Sequence, residues 1–129
     1  MLELLLHPED SGRAIRGLYR RAFSEATELY VLSAYLTSWD TTLEINAGCR
    51  TFLLIVGKDF GITRKQACFD VLRWLPPQRK ASFLVAESIS GFHPKVLFWR
   101  TPVGECYALI GSSNCLMLVG SGIMRPMLK

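Results

Sequence analysis

His93 and Lys95, separated by Pro94 in the stretch Phe92-His93-Pro94-Lys95-Val96-Leu97-Phe98, are the residues whose types and spacing most directly suggest chemistry. In a strand the side-chain period is two, which puts residues 93 and 95 on one side and aims an imidazole and an ammonium at one spot. The imidazole can act as nucleophile or as acid and base, and the ammonium can hold an anion. Pro94 cannot donate to a sheet ladder, so it marks a strand start, an edge or a bulge. Downstream, Tyr107-Ala108-Leu109-Ile110-Gly111-Ser112-Ser113-Asn114 ends an apolar run in small and amide residues. Exposed backbone N–H groups at such an end can hold a phosphate. A histidine on an apolar strand is more often a satisfied structural residue, so the two halves count together and neither counts alone.

Other chemistries fit less well. Ser112 or Ser113 as a hydrolase nucleophile would need a GxSxG elbow and an acid partner for His93, and neither is found. Cys49, Cys68, Cys106 and Cys115 form no CxxC pair and, with His7 and His93 as the only histidines, make no zinc ligand set. Cys68 on an apolar helical face and Cys106 in an apolar strand read as core packing. Gly120-Ser121-Gly122 lacks the following helix and strand of a dinucleotide loop.

The elements that must position these residues follow from periodicity. Ser11 is a candidate N-cap for an amphipathic helix with Ala14, Ile15, Leu18, Tyr19, Ala22, Phe23 and Ala26 on one face. Arg13, Arg16, Arg20 and Arg21 lie on its other face, either solvated or contacting phosphate. Glu28 to Tyr35 and Thr51 to Gly57 read as strands, and their near-continuous apolar character predicts a sheet covered on both faces. Trp39 to Ala47 has the length of a short helix ended by Gly48. Thr63 can cap a helix burying Ala67, Cys68, Val71, Leu72 and Leu75, which Pro76-Pro77 stops. Ala81 to Glu87, Phe92 to Arg100 and Cys106 to Ile110 read as strands, the last two as a hairpin turning at Thr101 to Glu105. Alternating strands and helices followed by strands give an α/β sandwich with a mixed sheet, without internal repeat or linker.

The 129 residues are one domain long, and 50% hydrophobic with 20% charged residues excludes disorder as the main state. No apolar stretch approaches the roughly 18 residues of a membrane span. The start Met1-Leu2-Glu3-Leu4-Leu5-Leu6-His7 lacks a basic region and a cleavage site, so a cytoplasmic protein is expected. The net charge of +4 is compatible with a phosphate-rich partner.

His93-Pro94-Lys95 followed across a hairpin by Gly111-Ser112-Ser113-Asn114 resembles the phospholipase D superfamily signature, HxK followed by GSxN. Ser33-Ala34-Tyr35 and Val56-Gly57 at two strand ends make the chain look most like the nuclease branch, which includes restriction endonucleases. The resemblance runs from about Arg13 to Asn114 and implies a phospholipase D-like sandwich, its mixed sheet flanked by helices, spanning residues 1–129 as a single domain. It implies His93 as a nucleophile forming a phosphohistidine, Lys95 and Asn114 as catalytic phosphate ligands, Ser112 as a further phosphate-binding donor, and no metal or other cofactor. The family uses two histidine half-sites. One motif per chain therefore implies a homodimer sharing the site, acting on nucleic acid, DNA above all, and not on a membrane. The alternative within the same fold is a catalytically degenerate module for nucleic-acid binding or dimerisation.

The signature departs from the family twice. The aspartate five positions after the lysine is replaced by Arg100, which argues for the nuclease branch over a lipid hydrolase. After Asn114 the likeness is lost: residues 115–129 are atypical, with no acid after Glu105. This tail reads either as a truncated or frameshifted end of a longer protein or as a compact variant in which Leu116 to Val119 cover the hairpin.

Overall fold

The computed structural model describes residues 8–58, 61–87, 89 and 91–111, with side chains from residue 15 onward. Helix α1 spans Pro8–Glu25 and strands β1 and β2 span Glu28–Ser33 and Thr51–Gly57. Helix α2 (Lys65–Trp74) leads through a 3-10 turn, Pro77–Ser82, into β3 (Phe83–Ala86), and β4 (Lys95–Arg100) and β5 (Cys106–Ile110) close the order. The five strands form one mixed sheet in the order β3-β2-β1-β4-β5. β1, β2 and β3 are parallel, β4 is antiparallel to β1, and β4 and β5 make the expected antiparallel hairpin. The chain is therefore an α/β protein, as its alternation of elements predicts.

Register sorts the side chains. Leu29, Val31 and Ser33 of β1 share a face with Phe52, Leu54 and Val56 of β2 and with Lys95, Leu97 and Trp99 of β4. All nine are buried. Against that face pack Ile15, Tyr19, Ala22 and Phe23 of α1 and Ala67 and Val71 of α2, in one continuous core. The opposite face carries Tyr30, Leu32, Leu53, Ile55, Val96 and Phe98, all half-buried, with Leu84 and Ile110 exposed at its edges. Both described α-helices pack on the first face; among the described residues no helix covers the second.

Three local expectations also change. Residues 39–47 form no helix, because their polar groups bond elsewhere. The Asp40 carboxylate accepts the Thr42 N–H at 2.9 Å in an Asx-type turn, and Asn46 donates its backbone N–H to Phe23 O at 2.7 Å and its side-chain amide to Ala26 O at 3.1 Å. The segment crosses over the helix face as irregular chain and buries Trp39 and Leu43. Helix α1 begins at Pro8, ahead of Ser11. Cys106 is exposed on β5, not in the core, whereas Cys49 is buried and burial pushes the Cys49 and Cys68 thiols up.

Phe23 is the hub of the helix–sheet contact. Its ring centroid lies 6.3 Å from Tyr19, 6.1 Å from Trp39, 6.3 Å from Phe52 and 6.1 Å from Trp74, so one side chain joins α1, the crossover, β2 and α2. Aromatic pairs at these separations add to the stabilisation from burial alone. Phe23→Ala is expected to cost about 3–5 kcal/mol, read as a lowered midpoint of urea unfolding followed by tryptophan fluorescence. A loss under about 1 kcal/mol would remove Phe23 from this role.

Candidate active site

The chain runs from β1 outward to β2 and β3, then returns to place β4 and β5 on the other side of β1. The order reverses at β1, which neighbours the parallel β2 on one side and the antiparallel β4 on the other. Three backbone segments converge at the carboxyl end of β1. Ser33, fully buried at the end of β1, donates its hydroxyl to Tyr35 O at 2.9 Å and turns the chain. Thr63 donates its hydroxyl to Gly57 O and accepts the Leu36 N–H at 3.1 Å, while Arg64 N–H donates to Leu36 O at 2.8 Å. Thr63 is thus a staple between the ends of β1 and β2. It is not the helix cap that its position suggested: the N-cap of α2 is Arg64, with no side-chain bond.

Gly57 sits at the centre of this convergence. A Cβ at residue 57 would lie 2.5 Å from Ala34 O, 3.0 Å from Phe92 Cδ1 and 3.3 Å from Phe92 O. Glycine therefore permits β2, the turn after β1 and the residue before His93 to touch.

Lys95 opens β4 directly across from Ser33 and is 6% exposed. Its Nζ lies 3.5 Å from His93 O. His93 is exposed and precedes the strand, so the expectation of one strand carrying both residues is corrected: the pleat does not orient His93. Its ring instead meets the buried Tyr35 edge to face, centroids 5.6 Å apart at 71°. From the other side of β4, Gly111 N–H donates to Lys95 O at 3.3 Å, so Gly111 lies beside Lys95. Ser112 and Asn114 lie outside the described residues, as do His7, Cys115 and residues 120–122. Of the predicted site, the structure brings together His93, Lys95 and the glycine that opens the second motif half.

The roles of Tyr35, Gly57 and Thr63 were missed in the sequence. Ser33-Ala34-Tyr35 and Val56-Gly57 were visible as strand ends, but nothing in their spacing says that the ends touch. Among the described residues no three His, Cys, Asp or Glu side chains gather as a metal site.

The arginines of α1 belong to a different part of the molecule. Arg20 pairs with Asp40 at 3.2 Å, and Arg21 pairs with Glu25 at 2.9 Å and lies 4.4 Å over the Tyr107 ring. Tyr107 faces Trp99, which pairs with Leu29, four residues and about 13 Å along the strands from the Ser33–Lys95 rung. Arg20 thus ties α1 to the crossover and Arg21 stacks on the hairpin.

Compared with models of protein families, with curated proteins and with solved structures, the chain finds no match. The arrangement itself offers an exposed imidazole and a recessed ammonium at the carboxyl end of β1, a pair suited to binding an anion.

Gly57→Ala forces Ala34 or Phe92 to move, because the nearest obstacle is a backbone oxygen. A loss of about 1–3 kcal/mol is expected by urea unfolding, as for overpacking elsewhere. Unchanged stability, together with unchanged amide NMR signals at residues 34 and 92, would show that the contact is loose.

Proposed function

We propose that the chain is a phospholipase D-like domain that cleaves nucleic-acid phosphodiesters, DNA above all, without a metal ion. The observation that supports this best is the meeting of the first motif half with the glycine that opens the second: Lys95 across from the end of β1, His93 just outside that rung, and Gly111 bonded to Lys95. The resemblance supplies the reaction. A His93 ring nitrogen attacks phosphorus, the N–P bond forms and the P–O bond to the leaving strand breaks, and the leaving oxygen takes a proton from the histidine of a second copy. That second histidine then removes a proton from water. The water oxygen bonds to phosphorus, the N–P bond breaks, and a terminal phosphate is released with His93 restored. Lys95, Ser112 and Asn114 hold the non-bridging oxygens and stabilise the charge that builds there. The active form is a homodimer, because each chain contributes one histidine to this chemistry.

The test is cleavage of labelled DNA in excess EDTA by wild type and by His93→Ala. Wild type is expected to cut, and His93→Ala to lose at least about 10³-fold, as when a nucleophile is removed. Acid quench of the wild-type reaction should trap phosphate on His93. If wild type and variant are folded, equally inactive and still bind DNA, the fold serves as a binding module and the nuclease reading is wrong.

A further inference from the structure

We propose that Tyr35 is a positioning residue for His93, fixing the imidazole from outside the strand that carries Lys95. Only the kinetic part of this proposal rests on the nuclease reading.

An exposed histidine ahead of a strand has no pleat to aim it and several staggered rotamers open to it. A reacting group needs tighter placement, since a displacement of about 1 Å can cost on the order of 10²-fold in rate. Pro94 holds its own φ but leaves the His93 side chain unconstrained. The contact the structure provides is the Tyr35 ring, 5.6 Å away in the edge-to-face arrangement aromatic rings favour.

Tyr35 is suited to this because it is itself immobilised. It is 5% exposed, and its carbonyl is taken by the Ser33 hydroxyl. The next residue is bonded on both backbone groups, Leu36 N–H to Thr63 and Leu36 O to Arg64 N–H. The preceding carbonyl, Ala34 O, lies against Gly57, which also receives Phe92. The two residues that meet, Tyr35 and His93, thus each follow a residue packed onto the same glycine. The ring is a rigid platform and the imidazole rests on it.

The experiment is NMR of the histidine ring protons, backed by kinetics. The chain has two histidines, so His93→Ala identifies the signals of residue 93. In wild type, nuclear Overhauser contacts are expected between the Tyr35 and His93 ring protons; this needs no substitution and no activity, and their absence overturns the proposal. Tyr35→Phe, which keeps the ring, is expected to leave the His93 signals close to wild type. Tyr35→Leu is expected to move them towards those of a free histidine and to lower kcat about 10²-fold with KM within about twofold, while Tyr35→Phe retains kcat within about twofold. A folded Tyr35→Leu with unmoved His93 signals overturns the proposal. Ring contacts in a wild type that fails to cut DNA would leave Tyr35 holding His93 and remove the nuclease reading instead.

Discussion

Ala34 O and Phe92 both crowd the space that a side chain at residue 57 would fill, and the candidate site depends on that crowding. Ala34 follows β1, Gly57 ends β2, and Phe92 precedes His93. These three points are remote in sequence, and they meet because glycine lets backbones approach at a distance no Cβ permits. Thr63 holds the same junction from the α2 side by bonding both Gly57 O and Leu36 N–H. The junction thereby couples the parallel half of the sheet to the segment that delivers the imidazole, so the geometry of the rim is set by main-chain contacts more than by side-chain packing.

The rest of the molecule keeps that junction in register. The Phe23 cluster presses α1, α2 and the irregular crossover onto one face of the sheet, and the β1–β4 pairing carries the consequence to the opposite side of β1. At the amino edge a second set of contacts does related work: Trp99 donates its ring N–H to Glu25 at 2.8 Å, Arg21 shares that carboxylate, and Arg100 pairs with Glu28 at 2.8 Å. Trp99 and Glu25 fasten helix to hairpin and Arg100 and Glu28 join β4 to β1, through partly exposed groups where each ion pair alone contributes little and the aromatic burial beneath contributes more. Arg21 thus stacks on the hairpin at the Trp99 end of the strands, about 13 Å along them from the Ser33–Lys95 rung. The sheet's other face, with Tyr30 lying 5.8 Å from Phe98 across the β1–β4 pair, is apolar without a described helix upon it.

Most of the element order was legible in the sequence, because it rests on short-range pattern. The strand over residues 51–57, the hairpin, the buried positions Ala67, Val71 and Leu75, and the stop at Pro76-Pro77 follow from periodicity and turn chemistry. What was not legible depends on partners distant in sequence. Residues 39–47 have the length of a helix, but Asn46 finds its acceptor in Ala26 and its backbone N–H finds Phe23, and no local propensity reveals those bonds. Thr63 carries the residue type of a cap and is drawn instead to Gly57 and Leu36. In the site, His93, Lys95 and Gly111 were legible as a motif, while the Tyr35 and Gly57 contacts were not, since they arise only when strand ends meet.

The two-residue spacing of His93 and Lys95 has a different consequence from the one strand periodicity suggests. Pro94 has no N–H, so the ladder cannot extend back through it, and β4 begins one residue later. The spacing therefore straddles the boundary of the sheet. Lys95 falls inside the last rung, where packing against β1 fixes its stem and burial strengthens the field of its ammonium on any nearby anion. His93 falls outside, exposed at the rim. A recessed cation and an exposed imidazole therefore arise side by side from one short stretch of chain, because the proline between them ends the ladder.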